Sequence, residues 1–146
     1  MTCLATVLYI GYIPWIPGTF ASVFGIGVAL AAGENAVISA AFIALLFLSG
    51  VRSASVFESA SGLEDDKRIV IDELVGMLVA LWGIEVRAWT FLMSFLTFRM
   101  LDIWKPFPAR RLERVSGGWG IMLDDMVVGI YTNLLVRLGM LVVKGS

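Results

Sequence analysis

Between Met1 and Val51 the chain carries a single charged side chain, Glu34. A stretch of that length without charge is hard to keep in water, and it divides into two apolar runs, residues 1–33 and 35–51. A helix needs roughly 17 to 25 mainly apolar residues to cross a bilayer. Pro14, Pro17 and Gly18 break the first run, so its helix is expected only after them. The remainder follows suit: of 146 residues, 59% are hydrophobic and 16% charged, far from the mix of a soluble domain. The opening run has neither a basic start nor a small-residue cleavage site before a polar domain, and is read as retained.

Apolar periodicity and turn residues predict five helical segments, at about residues 19–32, 36–57, 70–84, 88–104 and 122–143, with boundaries good to about two to four residues. The expected fold is all-α, a single domain over residues 1–146 built as a small polytopic membrane bundle of about four to five helices. With the N-terminus in the cytosol, Arg52, Lys67, Arg68, Arg99, Lys105, Arg110, Arg111 and Arg114 fall on the cytosolic side. Arg87 and Lys144 fall outside and Arg137 within the last segment, a distribution that obeys the positive-inside rule. The same arrangement gathers Asp72, Glu73, Asp102, Asp124 and Asp125 at one face.

Composition also removes chemistry. There is no histidine, which excludes the commonest general base and the serine–histidine hydrolases. Cys3 is the only cysteine, so no internal disulfide and no paired-cysteine metal site can form. A net charge of −1 argues against a nucleic-acid partner. Acids at the edge of lipid are costly, and five of them need neutralising partners. Arg99 and Asp102, three apart on one helix, make an intrahelical ion pair the plain reading for those two. The nearby bases are too few to neutralise all five acids, and a divalent cation meets the need. Magnesium is the natural candidate for a set of hard oxygen donors, and zinc is a poor one.

Two further patterns bear on that face. Asp72 precedes Gly76 by four residues and Asp125 precedes Gly129 by four, which puts each acid on the same helix face as a residue that lets another helix approach. Ordinary small-residue packing is the competing explanation of those glycines. Pro17 and Gly18 read as a turn at the interface with Thr19 as a helix cap, and residues 116–120 (SGGWG) as a flexible loop whose Gly117 and Gly118 could receive a phosphate oxygen at a helix start. Simple turn-making explains both as well. Arg110 and Arg111, in KPFPARRLER (105–114), are placed to attract an anionic headgroup.

Taken together, PWIPGT (14–19), IVIDELVG (69–76), FRMLDIWKPFP (98–108) and GGWGIMLDDMVVG (117–129) resemble the phosphatidylglycerophosphatase A family of bacterial lipid phosphatases, in order and spacing. One departure is Ala21, where the family commonly has glycine; Ser22 is kept. The resemblance implies a magnesium-dependent phosphomonoesterase that converts phosphatidylglycerophosphate to phosphatidylglycerol at the cytosolic leaflet of the inner membrane. Carried over residue by residue, it puts metal binding on Asp72, Glu73, Asp102, Asp124 and Asp125, and phosphate contact on Arg99 and Lys105. The residues themselves, rather than the resemblance, suggest Asp72, Glu73 and Asp125 as the catalytic acids, Thr19, Gly117 and Gly118 as further phosphate contacts, and Arg110, Arg111, Pro17 and Gly18 as headgroup or interface contacts. Activated water is the expected nucleophile, because no Asp-x-Asp pattern is present. The alternative is a small membrane cation-binding or transport protein using the same acids.

Overall fold

Proline, glycine and asparagine set the helix ends. The computed structural model describes residues 1–33, 35–63, 66–85 and 87–144. A short α1 (Thr2–Ala5) and a 3-10 turn (Ile10–Tyr12) lead into α2 (Pro17–Ala32), α3 (Ala36–Ser61) and α4 (Ile71–Leu81). Then come α5 (Ala88–Trp104), the one-turn α6 (Ala109–Leu112) and α7 (Gly118–Lys144). Among the described residues there is no strand. The five expected helices are α2, α3, α4, α5 and α7.

Their ends differ from expectation for local reasons. Pro17 is the first residue of α2, where its missing N–H would have had no helical partner anyway. Thr19 therefore lies inside the first turn and makes no cap hydrogen bond. Asn35 does cap α3, its Oδ1 accepting from the amides of Val37 and Ile38 at 3.1 Å each. Of residues 116–120, read as a flexible loop, Gly118 to Gly120 are already helical, and α6 forms just ahead of them. Those glycines serve contact rather than flexibility. A Cβ at Gly118 would stand 2.0 Å from the Val51 carbonyl oxygen, and one at Gly120 1.9 Å from that of Val115.

Apolar side chains fill the core and also cover much of the surface, unlike those of a soluble protein. Val37, Leu45, Leu48, Ile103, Leu134, Leu138 and Leu141 are exposed, whereas Asp124, Asp125, Thr132 and Asn133 are buried. Two helices, α3 and α7, are long and apolar enough to cross a membrane. The burial pattern is that of a membrane bundle, with lipid-facing apolar residues and an inward polar set.

At the centre stands α4, packed against α2, α3, α5 and α7. It has 11 residues, about 16 Å at the helical rise, half the thickness of a hydrocarbon core. Gly76 and Gly129 make its crossing with α7 possible: a Cβ at Gly129 would lie 2.4 Å from the Gly76 carbonyl oxygen, and one at Gly76 2.8 Å from that of Asp125. Asp72 and Asp125 stand one turn beyond this contact on their two helices.

The other end of α4 leaves carbonyls that its own helix cannot satisfy. Asn133 of α7 donates from Nδ2 to the carbonyls of Val79, Ala80 and Trp82 at 3.3, 2.9 and 2.9 Å. Arg137 donates from Nη2 to the carbonyls of Trp82 and Gly83 at 2.9 and 3.0 Å, and its Nε is held by Asn133 Oδ1 at 2.8 Å. A charge within a membrane-crossing helix thus has a structural task. The start of α4 is fixed differently. The Val70 amide donates to Ala5 at 3.0 Å, and Gly11 lies so close to the Arg68 carbonyl that a Cβ would be 1.9 Å away. Asp66 accepts from the amide and guanidinium of Arg68, and the guanidinium bond holds its carboxyl down to about 2 against the burial that opposes it. Arg68 also lies over the rings of Tyr12 and Phe57.

Candidate functional site

The first turn of α4 supplies Asp72 and Glu73, the C-terminal part of α5 supplies Arg99 and Asp102 with Lys105 as its C-cap, and α7 supplies Asp124 and Asp125. All seven line one cavity of about 690 Å³. The convergence read from the sequence is therefore present in three dimensions, and it rests on the Gly76–Gly129 contact.

Within the cavity the five acids are not equivalent. One carboxylate oxygen from each of Asp72, Glu73 and Asp125 lies within 4.8 Å of the other two. Asp102 is held by Arg99 at 2.9 Å, and the same guanidinium nitrogen stands 3.9 Å from Glu73. Asp124 is held by Lys105 at 2.8 Å and accepts from the Asp125 amide at 2.9 Å. Two acids are thus balanced by cations, and three face one another.

Lys105 is the most constrained of the cations. It adopts left-handed backbone geometry, φ 48° and ψ 69°, which costs a non-glycine residue about 1 kcal/mol or more. Its Nζ lies 2.8 Å from Asp124 and 2.7 Å from Glu113. Burial pushes the ammonium pKa down, but the hydrogen bonds to Asp124 and Glu113 outweigh it and the net shift is upward. Lys105 stays protonated across the physiological range.

Gly18 and Pro17 also line the cavity. A Cβ at Gly18 would lie 1.9 Å from Glu73 Oε1 and 3.4 Å from Arg99 Nη1, so the absence of a side chain gives Glu73 its place. Gly117 lines the cavity too, at φ 74°. Gly118 does not: its amide donates to Ser55 Oγ at 2.9 Å, which removes it from the phosphate contacts expected of that turn. Thr19, Arg110 and Arg111 lie outside the lining, and Arg111 sits over the Phe107 ring at 5.4 Å.

The sequence reading missed Glu113 as the second partner of Lys105, and missed Lys67, Arg114 and Ser116 as lining residues. From the sequence, Lys67 counts for topology alone, and Arg114 for topology and as part of the basic interfacial stretch 105–114. The separation of Glu113 from Lys105 spans a cis-proline turn and α6, which no helical spacing foretells.

The donor set suits a hard divalent cation. Asp72 Oδ1, Glu73 Oε2 and Asp125 Oδ2 are buried and have no hydrogen-bond partner, so three oxygens of the three-acid group lack compensation from the protein. Oxygen-only ligation of this kind fits magnesium, which is held by few carboxylates and keeps positions for water and phosphate.

A family profile described as phosphatidylglycerophosphatase A matches residues 3–140. The chain belongs to the phosphatidylglycerophosphatase A family. A Haemophilus influenzae protein named phosphatidylglycerophosphatase A is 37% identical over 130 residues, covering 86% of this chain and 80% of its own. The Escherichia coli protein of that name is 44% identical over 71 residues, 47% of this chain and 41% of its own. A Bacteroides thetaiotaomicron protein with the provisional name phosphatidylinositol-3-phosphatase is 33% identical over 135 residues, 86% of this chain and 84% of its own. No solved structure matches the chain. As a member of the phosphatidylglycerophosphatase A family it is a membrane phosphatase, and all of the cavity's acids fall within the matched residues.

Proposed function

We propose that the chain hydrolyses the terminal phosphomonoester of phosphatidylglycerophosphate, with magnesium, at the cytosolic face of a bacterial inner membrane. The observation that carries this reading is the group of Asp72, Glu73 and Asp125, whose oxygens lie within 4.8 Å of one another beside Arg99. Such a group is a poor arrangement for stability and a good one for holding a cation against a phosphate. Two relatives named for phosphatidylglycerophosphate and one named for a phosphoinositide share a phosphomonoester on a phospholipid headgroup. The first substrate is preferred because of the family match.

Magnesium held by Asp72, Glu73 and Asp125 would supply Lewis acidity toward the phosphate and lower the pKa of a water. The chain's residues do the remainder. Arg99, with one Nη1 that has no hydrogen-bond partner besides its ion pairs, offers charge to the equatorial phosphate oxygens. Lys105 has three N–H donors, and its two carboxylate partners leave one for substrate. The second oxygen of a carboxylate in the three-acid group, left free when the other faces the cation, would take the proton of the attacking water. Eight basic residues on the side of the acids favour the cytosolic orientation. A transport reading is weaker, since the acids gather at helix ends in one cavity rather than along a path between faces.

Purified protein in detergent should release phosphate from phosphatidylglycerophosphate when magnesium is present and lose that release with a chelator. Running a phosphatidylinositol 3-phosphate arm alongside decides the headgroup. Failure on both lipids with magnesium supplied rejects the function, and undiminished activity of Asp72→Asn and Asp125→Asn rejects the site.

A further inference from the structure

The cavity is larger than a phosphoryl group and an ion require. At about 690 Å³ it has the size of pockets that enclose a whole small molecule, about 300 to 1,000 Å³. Its lining continues past the acids to the α3–α4 loop, with Lys67, and to the α6–α7 loop, with Arg114 and Ser116. These cations differ from the two nearer the acids. Arg99 and Lys105 are each committed to two carboxylates. Among the described residues, neither Lys67 nor Arg114 makes an ion pair.

Both stand in turns closed by backbone hydrogen bonds. Lys67 lies between Asp66 and Arg68, which are joined to each other, and the Ile69 amide closes the turn onto Asp66 at 2.8 Å. Arg114 lies in a run where the amides of Glu113, Arg114 and Val115 donate to Ala109, Arg111 and Leu112 at 3.0, 3.3 and 2.9 Å. Gly120 then packs on the Val115 carbonyl with no room for a side chain. Cations with no acid partner among the described residues, lining a cavity beside a phosphatase site, are placed for a second anion. Trp15, 95% exposed, lines the same cavity and adds an apolar surface to it.

A phospholipid that carries a headgroup phosphomonoester has two phosphates, the terminal one and the diester that joins the headgroup to diacylglycerol. We propose that Lys67 and Arg114 form a subsite for that diester, so that the chain measures the distance between two phosphates rather than reading the monoester alone. This inference rests on the reading of the chain as a phospholipid phosphomonoesterase. Arginine suits the role, since its planar donors match two phosphate oxygens at once.

The test uses full-length protein in micelles of uncharged detergent, so that general attraction to an anionic surface plays no part. KM and kcat are measured on phosphatidylglycerophosphate for the wild type, Lys67→Gln, Arg114→Gln and the double variant. The soluble diester glycerophosphoglycerol serves as competitor. Loss of a charge-assisted contact should raise KM about tenfold in Arg114→Gln and further in the double variant, with kcat changed much less. Inhibition by glycerophosphoglycerol should weaken in parallel, and Arg114→Lys should recover part of the KM. A KM unchanged in the double variant, a loss confined to kcat, or competition by the diester that is undiminished would overturn the subsite. A wild type inactive on the lipid would instead overturn the parent reading.

Discussion

The two ends of α4 handle polar groups in opposite ways. At its C-terminus, Asn133 and Arg137 reach across from α7 and satisfy the carbonyls of Val79, Ala80, Trp82 and Gly83. At its N-terminus, Asp72 and Glu73 meet Asp125, and each of the three keeps a buried oxygen without a partner. The same pair of helices makes both ends, so the difference is not one of packing quality. Hydrogen bonds satisfied within the protein stabilise it; groups left unsatisfied in a buried place invite a ligand.

That contrast can be broken from either end. The largest effect is expected from Asp72→Asn or Asp125→Asn, which should cut phosphate release by at least about a hundredfold, the scale of losing one strong electrostatic contact to a transition state. The thermal midpoint of either variant, measured without added metal, should equal or exceed that of the wild type, because a like charge is removed. At the other end, Asn133→Leu should destabilise by about 2 to 3 kcal/mol, since it strips donors from buried carbonyls. Its residual activity per folded molecule should keep the wild-type magnesium dependence, as denaturant titration with parallel assays would show. Gly129→Ala strikes the crossing between the two ends and should cost about 1 to 3 kcal/mol by overpacking. It should also lower activity, because the helices must part near Asp72 and Asp125. The smallest effect concerns Asp66, whose carboxyl lies at about 2 in the fold against 3.8 ordinarily. Its contribution is complete above about pH 4 and is lost as pH falls through about 2, where both states are protonated. Stability should therefore drop more between pH 4 and pH 2 in the wild type than in Asp66→Asn.

The acids, their common face and the helices that bear them were legible because charge is rare in this chain and glycine spacing is regular. Asp72 with Gly76 and Asp125 with Gly129 marked two helix faces open to close approach, and the structure brings those two faces against each other. The division of the five acids was not legible. Whether Lys105 pairs with Asp124 or with a phosphate depends on a left-handed residue and on a loop that brings Glu113 back across eight positions. Gly18 and Gly118 were read as makers of turns, whereas each is small because another group stands against it: Glu73 in one case, the Val51 carbonyl in the other. A sequence shows that a side chain is missing. It does not show what fills the space.

The crossing at Gly76 and Gly129 has a mechanical consequence. With backbone close against backbone, and the Phe98 ring packed beside Gly76, the crossing leaves little freedom for the acids above it to relieve their repulsion by drifting apart. That repulsion loads the fold, a cation that enters between the acids releases it, and the released energy appears as affinity. Magnesium should then raise the unfolding temperature in proportion to the logarithm of its concentration above its dissociation constant, and the stiffness of one glycine contact would set how tightly the metal is held.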